Sequence, residues 1–101
     1  MAELGDAVVI VPTSVNAAAS LTVRPASGDE WIIHNIFSED GYPIEVYITD
    51  GTNTIKIDAN ASGGLLGYAF HLTYAVYMTI KNTDASARYI SYNGIVSKVT
   101  A

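Results

Sequence analysis

Residues 44–58, IEVYITDGTNTIKID, constrain this chain more than any other stretch. Ile44, Val46 and Ile48 alternate with Glu45, Tyr47 and Thr49, the two-residue period that puts one set of side chains on each face of a half-buried strand. Asp50-Gly51-Thr52-Asn53 then supplies turn chemistry, with Gly51 free to take positive φ. From Thr54 to Asp58 the alternation resumes, predicting Ile55 and Ile57 inward and Lys56 outward. This is a hairpin. No segment carries a helical stripe of useful length, so the remainder of the fold is expected to be strand as well.

The rest of the chain follows the same pattern. Leu66, Tyr68, Phe70 and Leu72 share one face opposite Gly67, Ala69 and His71. Val76, Met78 and Ile80 face inward opposite Tyr77, Thr79 and Lys81. Arg88 to Tyr92 and Ile95 to Val99 read as two short strands separated by Asn93-Gly94, and Leu21 and Val23 alternate with Thr22 and Arg24. Ala7 to Val11 is a continuous apolar run ended by Pro12, whereas Thr13 to Ser20 reads as a loop or a single helical turn. Pro25-Ala26-Ser27-Gly28 is a tight turn, and 59–64 (ANASGG) and 82–87 (NTDASA) are further loops. Glu30 to Phe37 is apolar on both faces, with Trp31, Ile33 and Phe37 opposite Ile32 and Ile36. Such a strand belongs in the middle of a sheet or at a subunit contact. Seven to nine short strands at a spacing of roughly 8–12 residues predict an all-β fold, an antiparallel, jelly-roll-like β-sandwich. The tripeptide TIK, at 54–56 and 79–81, marks two similar hairpins and no convincing repeat. At 101 residues there is one domain: residues 1–12 as an N-terminal arm or edge strand, and 13–101 as the sandwich.

Composition narrows the function classes. The net charge is −5, and the five basic residues Arg24, Lys56, Lys81, Arg88 and Lys98 are scattered. A binder of phosphate backbones needs a basic stripe, so nucleic acid is not an expected partner. The longest strongly apolar run is far too short to span a bilayer. The opening MAELGDAVVIVP lacks the basic start of a secretory signal, which predicts synthesis and retention in a cytoplasm. Charged residues make up 15% and hydrophobic residues 50%, against roughly 25% charged in an ordinary soluble domain. Low charge with so much apolar matter suggests a surface covered by a partner, most simply by further copies of the chain.

Candidate chemistry yields little. Asp29 and Glu30 would be paired carboxylates with His34 as base, but neighbours in a strand point to opposite faces and cannot converge on one atom. His34 and His71 are the only histidines. A zinc site would need them to meet in space with a carboxylate as third ligand, and half-buried, hydrogen-bonded roles suit both better. Asp50, Asn53, Asp58 and Asn60 lack the spacing of an EF-hand calcium loop. Gly63-Gly64-Leu65-Leu66-Gly67 has the wrong order for a phosphate-binding loop and precedes a strand. No G-x-S-x-G elbow occurs. The expectation is no enzyme, no cofactor and no metal.

The seven tyrosines say more. Tyr47 and Tyr77 sit on outward strand faces, and Tyr42, Tyr74 and Tyr89 lie near strand ends or turns. Tyrosine combines contact area with a polar tip, which suits protein interfaces and also sugar platforms; with so little charge, an interface is favoured. The expected contact set is Val8, Ile10, Trp31, Tyr47, Tyr77 and Tyr89.

RPASGDEWIIHNI at 24–36, followed by EVYITDGTNTIKID at 45–58, resembles small virion-associated proteins of tailed bacteriophages. In these an R-P-x-x-G-[DE]-E-W turn-strand leads into an I-x-N-I strand and a D-G hairpin. The similarity covers about residues 20 to 95 and continues weakly through MTIKNTDASARYISYNGI at 78–95. It implies a capsid decoration, or cement, protein: a compact sandwich, a homotrimer, bound across joints of the major capsid protein on the outer shell of the virion, without catalytic residues. The alternative is a receptor- or carbohydrate-binding module of a tail tip or fibre, using exposed tyrosines and the loops at 38–43 and 59–64.

Overall fold

The fold is seen in a computed structural model, which describes residues 3–39, 44–58, 64–65, 67 and 69–99. The strands are β1 Ala7–Val9, β2 Thr13–Val15, β3 Ser20–Val23, β4 Glu30–Ser38, β5 Ile44–Thr49, β6 Thr54–Asp58, β7 Gly64–Leu65, β8 Phe70–Thr73, β9 Tyr77–Asn82 and β10 Arg88–Lys98. Nine of the ten have three residues or more, and β7 is a two-residue stub. No helix occurs among the described residues.

Every strand pair is antiparallel, and the pairing follows one rule. The chain folds as a long hairpin whose tip is the Asp50–Asn53 turn. β5 pairs with β6, β4 with β7 and β8, β3 with β9, and β1 and β2 with β10. Rolling that hairpin brings β10 beside β4 and β9 beside β5, giving sheets of order β1-β10-β4-β7 (with β2 also on β10 and β8 on β4) and β3-β9-β5-β6. This is jelly-roll connectivity. Between the sheets, Ile33, Ile36, Leu72, Ile90 and Val96 of the first meet Val23, Ile44, Val46, Met78 and Ile80 of the second, all buried.

The tip turn works as its residues predict. Gly51 has φ of 93°, and the Asp50 carboxylate accepts from the amides of Thr52 (2.8 Å) and Asn53 (2.7 Å). Those two bonds hold the Asp50 carboxyl below its usual range.

Several local expectations are corrected. The 88–98 segment is one strand, because Asn93-Gly94 is a register shift against β4 and not a turn. A Cβ on Gly94 would lie 2.0 Å from the Ile32 carbonyl oxygen; only glycine lets the two backbones approach there. On β4 the extra residue at that shift is His34, since Asn93 pairs with Asn35 and Gly94 with Ile33. The bulge reverses the facing of everything after it. Ile33 and Ile36 therefore share the core face, and Phe37 turns outward. Thr13–Val15, expected in a loop or helical turn, is strand β2 on the edge of the first sheet. Of the two readings of residues 1–12, Ala7–Val9 takes the edge strand: β1 pairs with β10, and Val8 belongs to the core. In the turn after β3 the closing bond runs from Asp29 N–H to the Ala26 carbonyl, with Gly28 at φ 89°, and Pro25 is buried ahead of it. Ile55 pairs with Ile48 and Lys56 with Tyr47, but a register shift leaves Ile57 as an unpaired extra residue; both isoleucines, expected inward, are exposed, Ile55 by 66%, because β6 is an edge strand that the first sheet does not cover.

Buried Asn82, expected only as the start of a turn, is a tie between layers. Its side-chain amide donates to the carbonyls of Val15 (2.8 Å) and Ser86 (2.9 Å), and its Oδ1 accepts from the Asp84 amide (2.9 Å).

Candidate protein-contact face

The outer face of the first sheet is built by the alternation of three strands. On β1 the even-numbered Val8 points into the core, so Ala7 and Val9 point out. On β10, Ile90, Tyr92 and Val96 point in, so Tyr89, Ser91, Asn93 and Ile95 point out. On β4, Ile32 lies outward before the His34 bulge, and Asn35 and Phe37 after it. The registers set rows across the sheet: Ala7, Ile95, Ile32 and His71; Val9, Asn93 and Asn35; Ser91 and Phe37.

The result is an apolar face open to solvent. Val9 is 68% exposed, Tyr89 55%, and Phe37 and Ile95 38% each. At one end Pro12, Phe37 and Tyr89 help to line a depression of about 180 Å³, room for a single side chain. In the middle the Asn35 amide donates to Asn93 Oδ1 (2.7 Å), while Asn35 Oδ1 accepts from the Gly67 amide (3.0 Å). Ion pairs border the face at both ends. Glu30 meets His71 Nε2 at 2.7 Å and Lys98 at 3.6 Å. Glu39 accepts from the Tyr89 amide (2.8 Å) and lies 3.6 Å from Arg88, which also binds Asp84 at 2.8 Å. That hydrogen bond from Arg88 holds the Asp84 carboxyl below its usual range. Exposed apolar side chains bordered by charged groups are a feature of protein-contact surfaces.

The outer face of the second sheet is different in kind. The Tyr47 hydroxyl donates to the Glu45 carboxylate, Lys56 bonds Glu45 at 3.2 Å, and the Lys56 ammonium sits 5.8 Å from the Tyr47 ring centre. The tyrosine hydroxyl first, and the lysine second, hold the Glu45 carboxyl below its usual range, and the same carboxylate pushes the Tyr47 hydroxyl up. Arg24 lies 3.8 Å from the Tyr74 ring centre and 4.2 Å from that of Tyr77, with its Nε donating to the Tyr74 carbonyl at 2.7 Å. These tyrosines are engaged within the chain.

The structure therefore divides the expected contact set. Tyr89 stands on the open face. Tyr47 and Tyr77 are outward, as expected, but half-buried among internal partners. Val8 is in the core, and Ile10 and Trp31 are partly buried against it. Sequence reasoning missed Val9, Phe37 and Ile95. In AVVIV no period distinguishes Val8 from Val9, and the bulge that turns Phe37 outward leaves no mark except Gly94.

Of Asp29 and Glu30, Glu30 pairs with His71 and Lys98. His34 is half-buried at the bulge and partnered. Among the described residues, no three His, Asp or Glu side chains gather where a metal ion could sit. Tyr42, Asn60, Leu66, Tyr68 and the loops at 40–43 and 59–63 lie outside the described residues. Searched against protein-family models and against curated proteins, the chain matches neither.

Proposed function

We propose that this chain is a structural protein of a tailed-phage virion, a decoration or cement protein that binds the major capsid protein on the outer shell and acts by contact, without chemistry. One observation carries the reading: Val9, Phe37, Tyr89 and Ile95 make an open apolar face, rimmed by ion pairs, that no described residue covers. Exposed apolar patches of this kind mark surfaces meant for another protein. The phage resemblance of residues 24–36 and 45–58 supplies the partner.

Mechanically the role asks for a rigid plate with one adhesive side. The jelly roll supplies the plate, held by a core common to both sheets. Burying the aromatic pair Phe37 and Tyr89 in a contact would supply most of the binding energy. Repetition over many copies would convert a modest affinity into shell stability. The carbohydrate-binding alternative draws less support, since Lys56 and Arg24 already stack near the rings of Tyr47, Tyr74 and Tyr77.

The test is cosedimentation with expanded empty shells of the encoding phage, alongside a glycan array. Saturable, stoichiometric attachment lost in Phe37→Asp and Tyr89→Asp is the expected result. A defined sugar hit with no affinity for shells would overturn the reading.

A further inference from the structure

We infer that two copies of this chain associate through β1, edge to edge, about a two-fold axis. The inference does not depend on a shell. Its basis is the phase of the edge ladder. Val96 N–H donates to the Asp6 carbonyl (2.9 Å) and Ile10 N–H to the Tyr92 carbonyl (3.2 Å), so the even-numbered residues of this segment bond to β10. In an antiparallel ladder the alternate residues then turn their N–H and C=O away. Those of Ala7 and Val9 point outward from the edge of the first sheet.

Edges of this kind are ordinarily blunted by charge. Around the other edges stand Arg24 just after β3, Lys56 within β6 and His71 within β8. Residues 7–15, AVVIVPTSV, hold no charge, and only the Val11–Pro12 irregularity protects their far end. Val9 and Val11 are among the most exposed apolar side chains of the protein.

The occupant that fits is a second copy. With a net charge of −5 on each chain, two copies can approach closely only over an uncharged segment, and this is one. Antiparallel pairing centred on Val8 sets Ala7 opposite Val9 of the other copy, both with outward-facing backbone groups, and sets Asp6 opposite Ile10 so that no two acids face each other. The outer apolar row then runs unbroken through Ile32, Ile95, Ala7 and the other copy's Val9. On the inner side the added strand lies along the mouth of a cleft of about 380 Å³ bordered by Val8, Ile10, Trp31 and Tyr92. An isologous contact closes after two copies, which replaces the homotrimer implied by the phage resemblance.

Native mass spectrometry and sedimentation velocity on the isolated chain, over a dilution series, test this. The expected species has twice the 10.7 kDa chain mass. Val9→Pro removes an amide that the internal ladder does not use, and Val9→Lys places charge in the joint; both variants should be folded monomers at concentrations where the parent is dimeric. Hydrogen exchange should show the Ala7 and Val9 amides slowing as the dimer forms. A monomer throughout, a trimer, or a dimer that both variants leave intact would overturn the inference. A dimer that ignores shells would refute the proposed function alone, and a monomer that coats shells would refute this inference alone.

Discussion

The two outer faces of this sandwich are made by the same alternation and come out opposite in character. On the second sheet, outward positions carry Glu45, Tyr47, Lys56 and Tyr77, and each tyrosine has a cation near its ring. On the first, outward positions carry Val9, Phe37, Tyr89 and Ile95 around the bonded Asn35 and Asn93, with ion pairs at the ends. A face whose polar groups satisfy one another is finished. One that leaves aliphatic and aromatic groups in water is what the proposed interface asks for. The same residue type can thus mean different things: Tyr47 and Tyr89 are both outward tyrosines on strands, but only Tyr89 is available.

The comparison can be broken from beneath. Gly94→Ala places a methyl group against the β4 backbone and should destabilise the fold by about 3 kcal/mol, seen as a lower denaturant midpoint. A loss below half that size would mean that the bulge does not fix the first face. Asn82→Ala leaves the Val15 and Ser86 carbonyls and the Asp84 amide to find other partners, at a cost of about 2 kcal/mol, again read by denaturant unfolding. The faces themselves separate at the next level. Phe37→Asp or Tyr89→Asp should weaken attachment to a partner by about tenfold with folding almost unchanged, whereas Tyr47→Phe should leave attachment as it was; binding isotherms at fixed salt decide.

The smallest effect concerns pH. Glu45, Asp50 and Asp84 all have folded-state pKa values below their ordinary ones. The stability they contribute is therefore complete above their unfolded-state values of about 4 and is lost as pH falls through the lower folded-state values. Thermal melts should show a modest decline across that acidic window. Glu45→Gln should flatten part of it, since the Tyr47 and Lys56 bonds to the carboxylate then no longer titrate.

Strand content was legible because alternation survives wherever one strand face is wet: β9 and the first four residues of β5 match their sequence pattern, while β6 keeps its strand but leaves Ile55 and Ile57 exposed. The sandwich class followed from strand spacing. Two kinds of feature escaped. Three-residue strands such as β2 are too short to show a period. Bulges change the phase within a strand: the one at His34 put Ile33 and Ile36 on a single face and sent Phe37 outward, so the open face could not be assembled from alternation alone. Ala7 to Val11 reads as an arm or edge strand, but an unbroken apolar run conceals which side is which, and only the structure separates buried Val8 from exposed Val9. The engaged state of Tyr47 and Tyr77 depends on Lys56 and Arg24 arriving from neighbouring strands or from across a turn, which only the registers hold, and on Glu45 two residues before Tyr47 on the same strand.

The most direct measurement is hydroxyl-radical footprinting of the chain, free and bound to shells. Protection of Phe37 and Tyr89 on binding, with Tyr47 and Tyr77 labelled equally in both states, is the predicted result. Protection of Tyr47 and Tyr77 while Phe37 and Tyr89 stay reactive would contradict it.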